Sequence, residues 1–216
     1  FLNDNKTALA DALNPADNTF PVASNNPVGE AKGLFPGRVV WAHDVNATNE
    51  YYVPTKSSTD FWYSDINVDE DVVKEMLSEA LMKYAGTENI KDAWDAIFKA
   101  YNSSHGRGNV GYKTGEKIAF KINLTNQSCS TAERPLRMDV APQLLNAVLH
   151  ELVDNVGVAQ ADIFMGDPYR EFRKEYRDMV MSKYPNVYYV DGAGGNGVHQ
   201  TKPSVNAVLK FSNKAL

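Results

Sequence analysis

Hydrophobic residues in this chain recur with two different periods, and the two alternate along its second half. From Lys117 to Asn126, Ile118, Phe120, Ile122 and Leu124 occupy every second position. The run is β-branched and aromatic and follows a Thr114-Gly115 turn, which predicts a strand. Upstream, Val72, Val73, Met76, Leu77, Ala80, Leu81 and Tyr84 fall at helical spacing. Asn67-Val-Asp-Glu70 opens that helix in the manner of a capping box, and Gly86 closes it. A second helix carries Trp94, Ile97, Phe98 and Tyr101 on one stripe and ends at Ser103-Ser-His-Gly-Arg-Gly108.

Beyond the Lys117 run, a helix begins near Ala141-Pro142, where proline loses no hydrogen bond. Its stripe is Leu144, Leu145, Val148, Leu149, Leu152 and Val153, stopped by Gly157; His150, Gln143, Asn146 and Asp154 form its polar face. Asp162–Gly166 is the next strand, Phe172, Tyr176, Met179 and Val180 mark another helix, and Asn186–Val190 a further strand. Strand, helix, strand, helix, strand over 117–190 implies parallel strands joined by right-handed crossovers. The expected fold is α/β, a Rossmann-like three-layer α/β/α sandwich with a mostly parallel sheet and the Lys117 strand at its centre.

The flanks are less regular. Residues 1–37 contain Asn14-Pro15, Phe20-Pro21, Asn26-Pro27 and Phe35-Pro36, each holding the preceding residue out of helix. They are expected to form an extended lead-in, with Leu9, Leu13 and Phe20 packing on a single α/β domain over 38–216. Arg38–His43 predicts a short buried strand. Residues 46–65 form a long loop whose aromatic residues, Tyr51 to Tyr63, favour a packed state. Residues 204–211 predict a last strand, after which the chain stops at Leu216, as it would after an edge strand or, the preferred expectation, in a C-terminally truncated piece.

Composition narrows the function. With 22 basic and 27 acidic side chains, a net charge of −5 and no basic cluster, nucleic acid is not the expected partner. No apolar run approaches the roughly 20 residues of a membrane helix. The single cysteine, Cys129, excludes an internal disulfide and a four-cysteine iron–sulfur cluster within this chain. Phe1 stands where an initiator would, so the chain is expected to have been cut there by processing or by a chosen start, and any signal segment to be already gone.

The carboxyl ends of parallel strands share one edge, and their exit loops share a crevice. Four exits are polar: His43 and Asp44; Asn123, Thr125 and Asn126; Asp167, Tyr169 and Arg170; Asp191 with its glycines. Asn123, Thr125, Asn126, Asp167, Arg170 and Asp191 are the candidate ligand-binding residues, and His43, Asp44 and Asp167 the candidate metal ligands. The alternative is that Asx and Gly residues merely make good turns after strands. Gly192–Gly197 contains G-x-G-x-x-G, but Val198–Pro203 is a poor helix start, so a flexible loop is the better reading. His105 ends its helix, His150 is a solvated residue, and His199 stands beside the glycine loop. Cys129 follows the central strand without an identifiable base.

Several segments taken together resemble the bacterial domain of unknown function family 362. They are Asn26-Pro-Val-Gly-Glu-Ala-Lys-Gly-Leu-Phe-Pro-Gly-Arg-Val-Val-Trp-Ala-His-Asp44, Ala93-Trp-Asp-Ala-Ile-Phe98, His105-Gly-Arg-Gly-Asn-Val-Gly-Tyr112 and Gly115–Leu124. The resemblance implies an exported bacterial protein, longer than this chain. Some members carry ferredoxin-like modules, whose cysteines are lacking here. Asn123 to Arg170, with Arg134-Pro135, is similar to the N-terminal domain of lactate racemase-like proteins, which use a nickel pincer cofactor. It departs from them in having Gly166-Asp-Pro-Tyr-Arg170 in place of Gly-x-His-Arg. The expected function is a small-ligand or metal-binding domain with its site at the strand carboxyl ends. A cofactor-dependent redox or isomerase enzyme and an interaction module using residues 51–63 stand as alternatives.

Overall fold

The structure is a computed structural model that describes residue 29 and residues 33–55, 61–128 and 138–204. The chain divides between Lys32 and Gly33, just ahead of the boundary expected after residue 37, and every described helix and strand belongs to the second unit. Leu9, Leu13, Phe20, Cys129, Arg134-Pro135 and all of the 204–211 run but Ser204 lie outside the described residues.

The described elements are α1 (Glu70–Ala85), α2 (Ile90–Ser104), β1 (Ile118–Lys121), α3 (Pro142–His150), β2 (Ile163–Gly166), α4 (Lys174–Met181), β3 (Tyr188–Asp191) and β4 (His199–Gln200). Asp69, not Asn67, caps α1: its carboxylate accepts the Asp71 and Val72 N–H groups at 3.0 and 3.2 Å. Asn67 is buried and donates instead to the Phe61 carbonyl, fastening the aromatic loop. Gly86 ends the helix at φ +70°, a conformation glycine adopts without steric cost.

α3 runs on into a π-helical stretch, Glu151–Val156, whose wider turn shifts which side chains face inward. The buried face differs from the expected stripe. Gln143 and Asn146 are 0% and 1% exposed, whereas Leu144 is 37% exposed. Polar partners explain the exchange: Gln143 Nε2 donates to the Tyr63 carbonyl at 2.7 Å and Asn146 Nδ2 to Glu70 Oε2 at 2.8 Å. Each amide pairs its nitrogen only: Gln143 Oε1 and Asn146 Oδ1 are buried with no hydrogen-bond partner among the described residues.

The four strands pair in the order β1-β2-β3-β4, all parallel, with Ile118 opposite Ile163, Phe164 opposite Tyr188 and Val190 opposite His199. The α/β fold with a parallel sheet is as expected. β1 is an edge strand of the described sheet, not its centre. β4 was not expected; it pairs with β3 after a connection, residues 192–198, that holds no helix. The Arg38–His43 segment is not a strand, and Val39 and Trp41 are 88% and 81% exposed. Arg38 is drawn to the end of α1, where its guanidinium donates to the Tyr84 carbonyl at 3.0 Å, and no neighbouring strand among the described residues takes up its main chain.

The helices contact one another in series, α2 to α1 to α3 to α4, and so form one layer. Leu145, Leu149, Leu152, Tyr176 and Val180 pack from that layer on Ile163, Met165 and Tyr189 of the sheet. Burying each such aliphatic side chain contributes about 1.5–3 kcal/mol. Phe61 and Tyr63 join this core, with the Tyr63 and Tyr176 rings 4.4 Å apart. The opposite sheet face carries Ala119, Lys121, Phe164, Tyr188, Val190 and His199, and most of it is exposed or half-buried. Across it the Phe164 ring lies tilted against Tyr188 at 4.7 Å, and Tyr188 stacks on His199 at 3.7 Å. Among the described residues the architecture therefore has two layers, and no second helical layer is among them.

Candidate functional site

Parallel pairing brings the strand exits to one edge, where hydrogen bonds stitch them together. Lys121 Nζ stands 2.9 Å from Asp167 Oδ2, and Thr201 Oγ1 donates to the carbonyls of Pro168 and Asp191 at 2.6 and 3.0 Å. Asp167 is 4% exposed and accepts the Leu124 and Tyr169 N–H groups at 3.2 and 3.0 Å. Burial pushes its carboxyl upward, but the Tyr169 N–H, Lys121 and the Leu124 N–H outweigh this and hold it below the usual carboxylate range. Asp191, 2% exposed, accepts the Phe172, Ala193 and Gly194 N–H groups at 2.8, 2.8 and 2.5 Å.

The smaller exit residues are spent in the same way. Asn123 Oδ1 accepts the Thr125 N–H at 3.1 Å and the Thr125 hydroxyl. Asn126 donates through its N–H to Asp139 at 2.9 Å and through Nδ2 to the Met138 carbonyl at 2.6 Å. Arg170 and Tyr169 are exposed beside them. These are the turn and capping roles that short polar side chains play after strands.

His43 and Asp44 are not part of this edge. They line a cavity of about 380 Å³ against Glu75, Met76 and Lys83 of α1. Among the described residues no group of three or more His, Cys, Asp or Glu is placed to hold a metal ion. The glycine loop is closed by an antiparallel bridge between Gly195 and Val198, and Asp191 rather than a ligand takes its amides. His105 packs on Tyr101 with ring centroids 4.1 Å apart, and His150 pairs with Asp154 at 2.8 Å.

A cavity of about 610 Å³ lies elsewhere, between α2 and β1. Ile97, Phe98 and Tyr101 of α2 form one wall, Ile118 and Ala119 of β1 another, and Arg107, Tyr112, Glu116 and Lys117 its polar rim. The spacing of α2 puts 97, 98 and 101 on one face. The segment after α2 is pinned back: Asn102, 3% exposed, donates to the Val110 carbonyl at 2.8 Å, and Arg107 N–H donates to the Asn102 carbonyl at 2.8 Å. The Phe98 and Tyr112 rings lie 5.7 Å apart, and the Arg107 guanidinium sits 5.8 Å from the centre of the Tyr101 ring. Lys117 is committed to Asp162, and Glu116 accepts the Lys113 N–H at 2.8 Å. The Tyr112 hydroxyl is buried and has no hydrogen-bond partner among the described residues.

The strand wall is an edge that no strand among the described residues pairs. Ile122 N–H donates to the Gly166 carbonyl at 3.0 Å, and peptide groups alternate sides along a strand. Ala119 therefore turns its N–H and C=O away from β2, toward the cavity side. Comparison with protein-family models, curated proteins and solved structures found no match. Sequence reasoning passed over this cavity, although its signals were present. Arg107 stood between two glycines just past an aromatic helical stripe, and Tyr112 led into the strand.

Proposed function

We propose that the chain is a small-ligand-binding α/β domain whose site is the cavity between α2 and β1. The observation that carries this reading is the cavity itself: about 610 Å³ of space with aromatic and aliphatic walls and a rim that includes Arg107, Glu116 and Lys117. Both the size and the lining suit a small organic molecule. The family 362 resemblance and an extracytoplasmic location belong to the same proposal and rest on the sequence.

The fluorescent probe 8-anilino-1-naphthalenesulfonate tests it. The wild-type chain is expected to bind one equivalent with enhanced fluorescence, and Ile97→Trp, which enlarges the α2 wall of the cavity, to lose that binding. No enhancement with the wild type, or equal enhancement with both, overturns the reading.

A second reading keeps the ligand at the strand carboxyl ends. It is supported by the convergence of Lys121, Asp167 and Thr201 on one edge. Here Asn123→Ala is expected to abolish thermal stabilisation by inorganic phosphate or divalent cations, and unchanged stabilisation counts against it.

A further inference from the structure

We infer that the ligand of the α2–β1 cavity is an aromatic monocarboxylate, an inference that rests on reading the cavity as a ligand site. Three features of the rim and walls carry it. Phe98, Tyr101 and Tyr112 surround the space with ring faces and edges, which favours a planar aromatic body. Arg107 forms no ion pair among the described residues, and the Tyr101 ring is the contact its guanidinium makes. Lys117, the other cation of the lining, is already neutralised by Asp162.

An arginine whose planar fork is uncommitted binds a carboxylate through two parallel hydrogen bonds. The Tyr101 ring, 5.8 Å away, lies within cation–π range of that fork without using its donors. A second acidic group on the ligand would meet Glu116, whose carboxylate is turned back on the Lys113 N–H and remains an anion of the rim. One carboxylate is therefore favoured over two. The buried Tyr112 hydroxyl and the outward N–H of Ala119 offer further polar contacts to a ring substituent.

Isothermal titration of the full chain with 1-naphthoate and 1-naphthamide tests the assignment. The two probes share a ring and differ in charge. At low salt the wild type is expected to bind the acid about tenfold tighter than the amide, the equivalent of one charge-assisted hydrogen-bond pair. Added salt should shrink the preference. Arg107→Gln changes an exposed turn residue and is expected to weaken the acid far more than the amide, removing the preference. Equal binding of acid and amide by the wild type, or an undiminished preference in Arg107→Gln, overturns the carboxylate assignment while leaving the cavity a ligand site. Binding of neither probe overturns the ligand-site reading, and this inference with it.

Discussion

Lys121 Nζ lies 2.9 Å from Asp167 Oδ2, joining β1 to the exit of β2, and the same oxygen accepts the Leu124 N–H. The pair occupies the strand edge where the sequence places a ligand, and it serves the fold.

Asp167→Asn therefore tests stability before binding. At neutral pH it is expected to cost about 1–3 kcal/mol in chemical denaturation, because two main-chain donors and an ammonium lose a charged acceptor. The pH dependence has a definite sign. The folded carboxyl is held below its unfolded value of about 3.9, so its contribution is complete above that value and is lost as pH falls through the folded one. The variant should show a shallower acid decline than the wild type; parallel acid profiles would refute the role.

Burial pushes the Tyr176, Tyr184 and Tyr189 phenols above their ordinary range. Above about pH 10 the unfolded chain releases protons that the folded chain keeps, so stability falls as pH rises. Tyr189→Phe should soften that alkaline decline. At neutral pH it should cost about 1 kcal/mol for the lost 2.9 Å hydrogen bond to the Tyr184 carbonyl. Urea midpoints measured across the alkaline range decide it.

Glu151 is 1% exposed, with Ser78 Oγ and Asn155 Nδ2 as its donors. Ser78→Ala leaves the buried Glu151 Oε1 without its donor, Asn155 still holding Oε2, and is expected to cost about 1–3 kcal/mol. Adding Glu151→Met removes the unpaired oxygen, so the double variant should be more stable than Ser78→Ala alone. A thermal-melt double-mutant cycle showing simple additivity would contradict the coupling.

Gly194 has φ +74°, and a side-chain carbon there would meet Gln200 Cβ at 2.8 Å. Gly194→Ala should cost about 1–2 kcal/mol from backbone strain alone. It should also loosen β4, seen as faster amide exchange at Thr201, whose N–H bonds the Asp191 carbonyl at 2.8 Å.

The elements that sequence determined are those with a strong internal period or a fixed punctuation. The stripe of α1, the aromatic face of α2, the three apolar strands and the stops at Gly86 and Gly157 all follow from spacing that any fold must satisfy. The order strand, helix, strand, helix, strand was enough to give a parallel sheet, because crossovers of that length permit little else.

Tertiary structure decided what each element faces. The apolar run Arg38–His43 is open coil, since a strand exists only where a neighbour pairs it. Gln143 turns inward and Leu144 outward because Tyr63 and Asp65 offer the amide its partners. β1 became an edge of the described sheet and Asp191 a loop cap for the same reason: hydrogen-bond partners and contact faces belong to residues distant in sequence. The cavity beside β1 depends on that too. Its lining comes from a helix, a turn and a strand edge that only folding brings together.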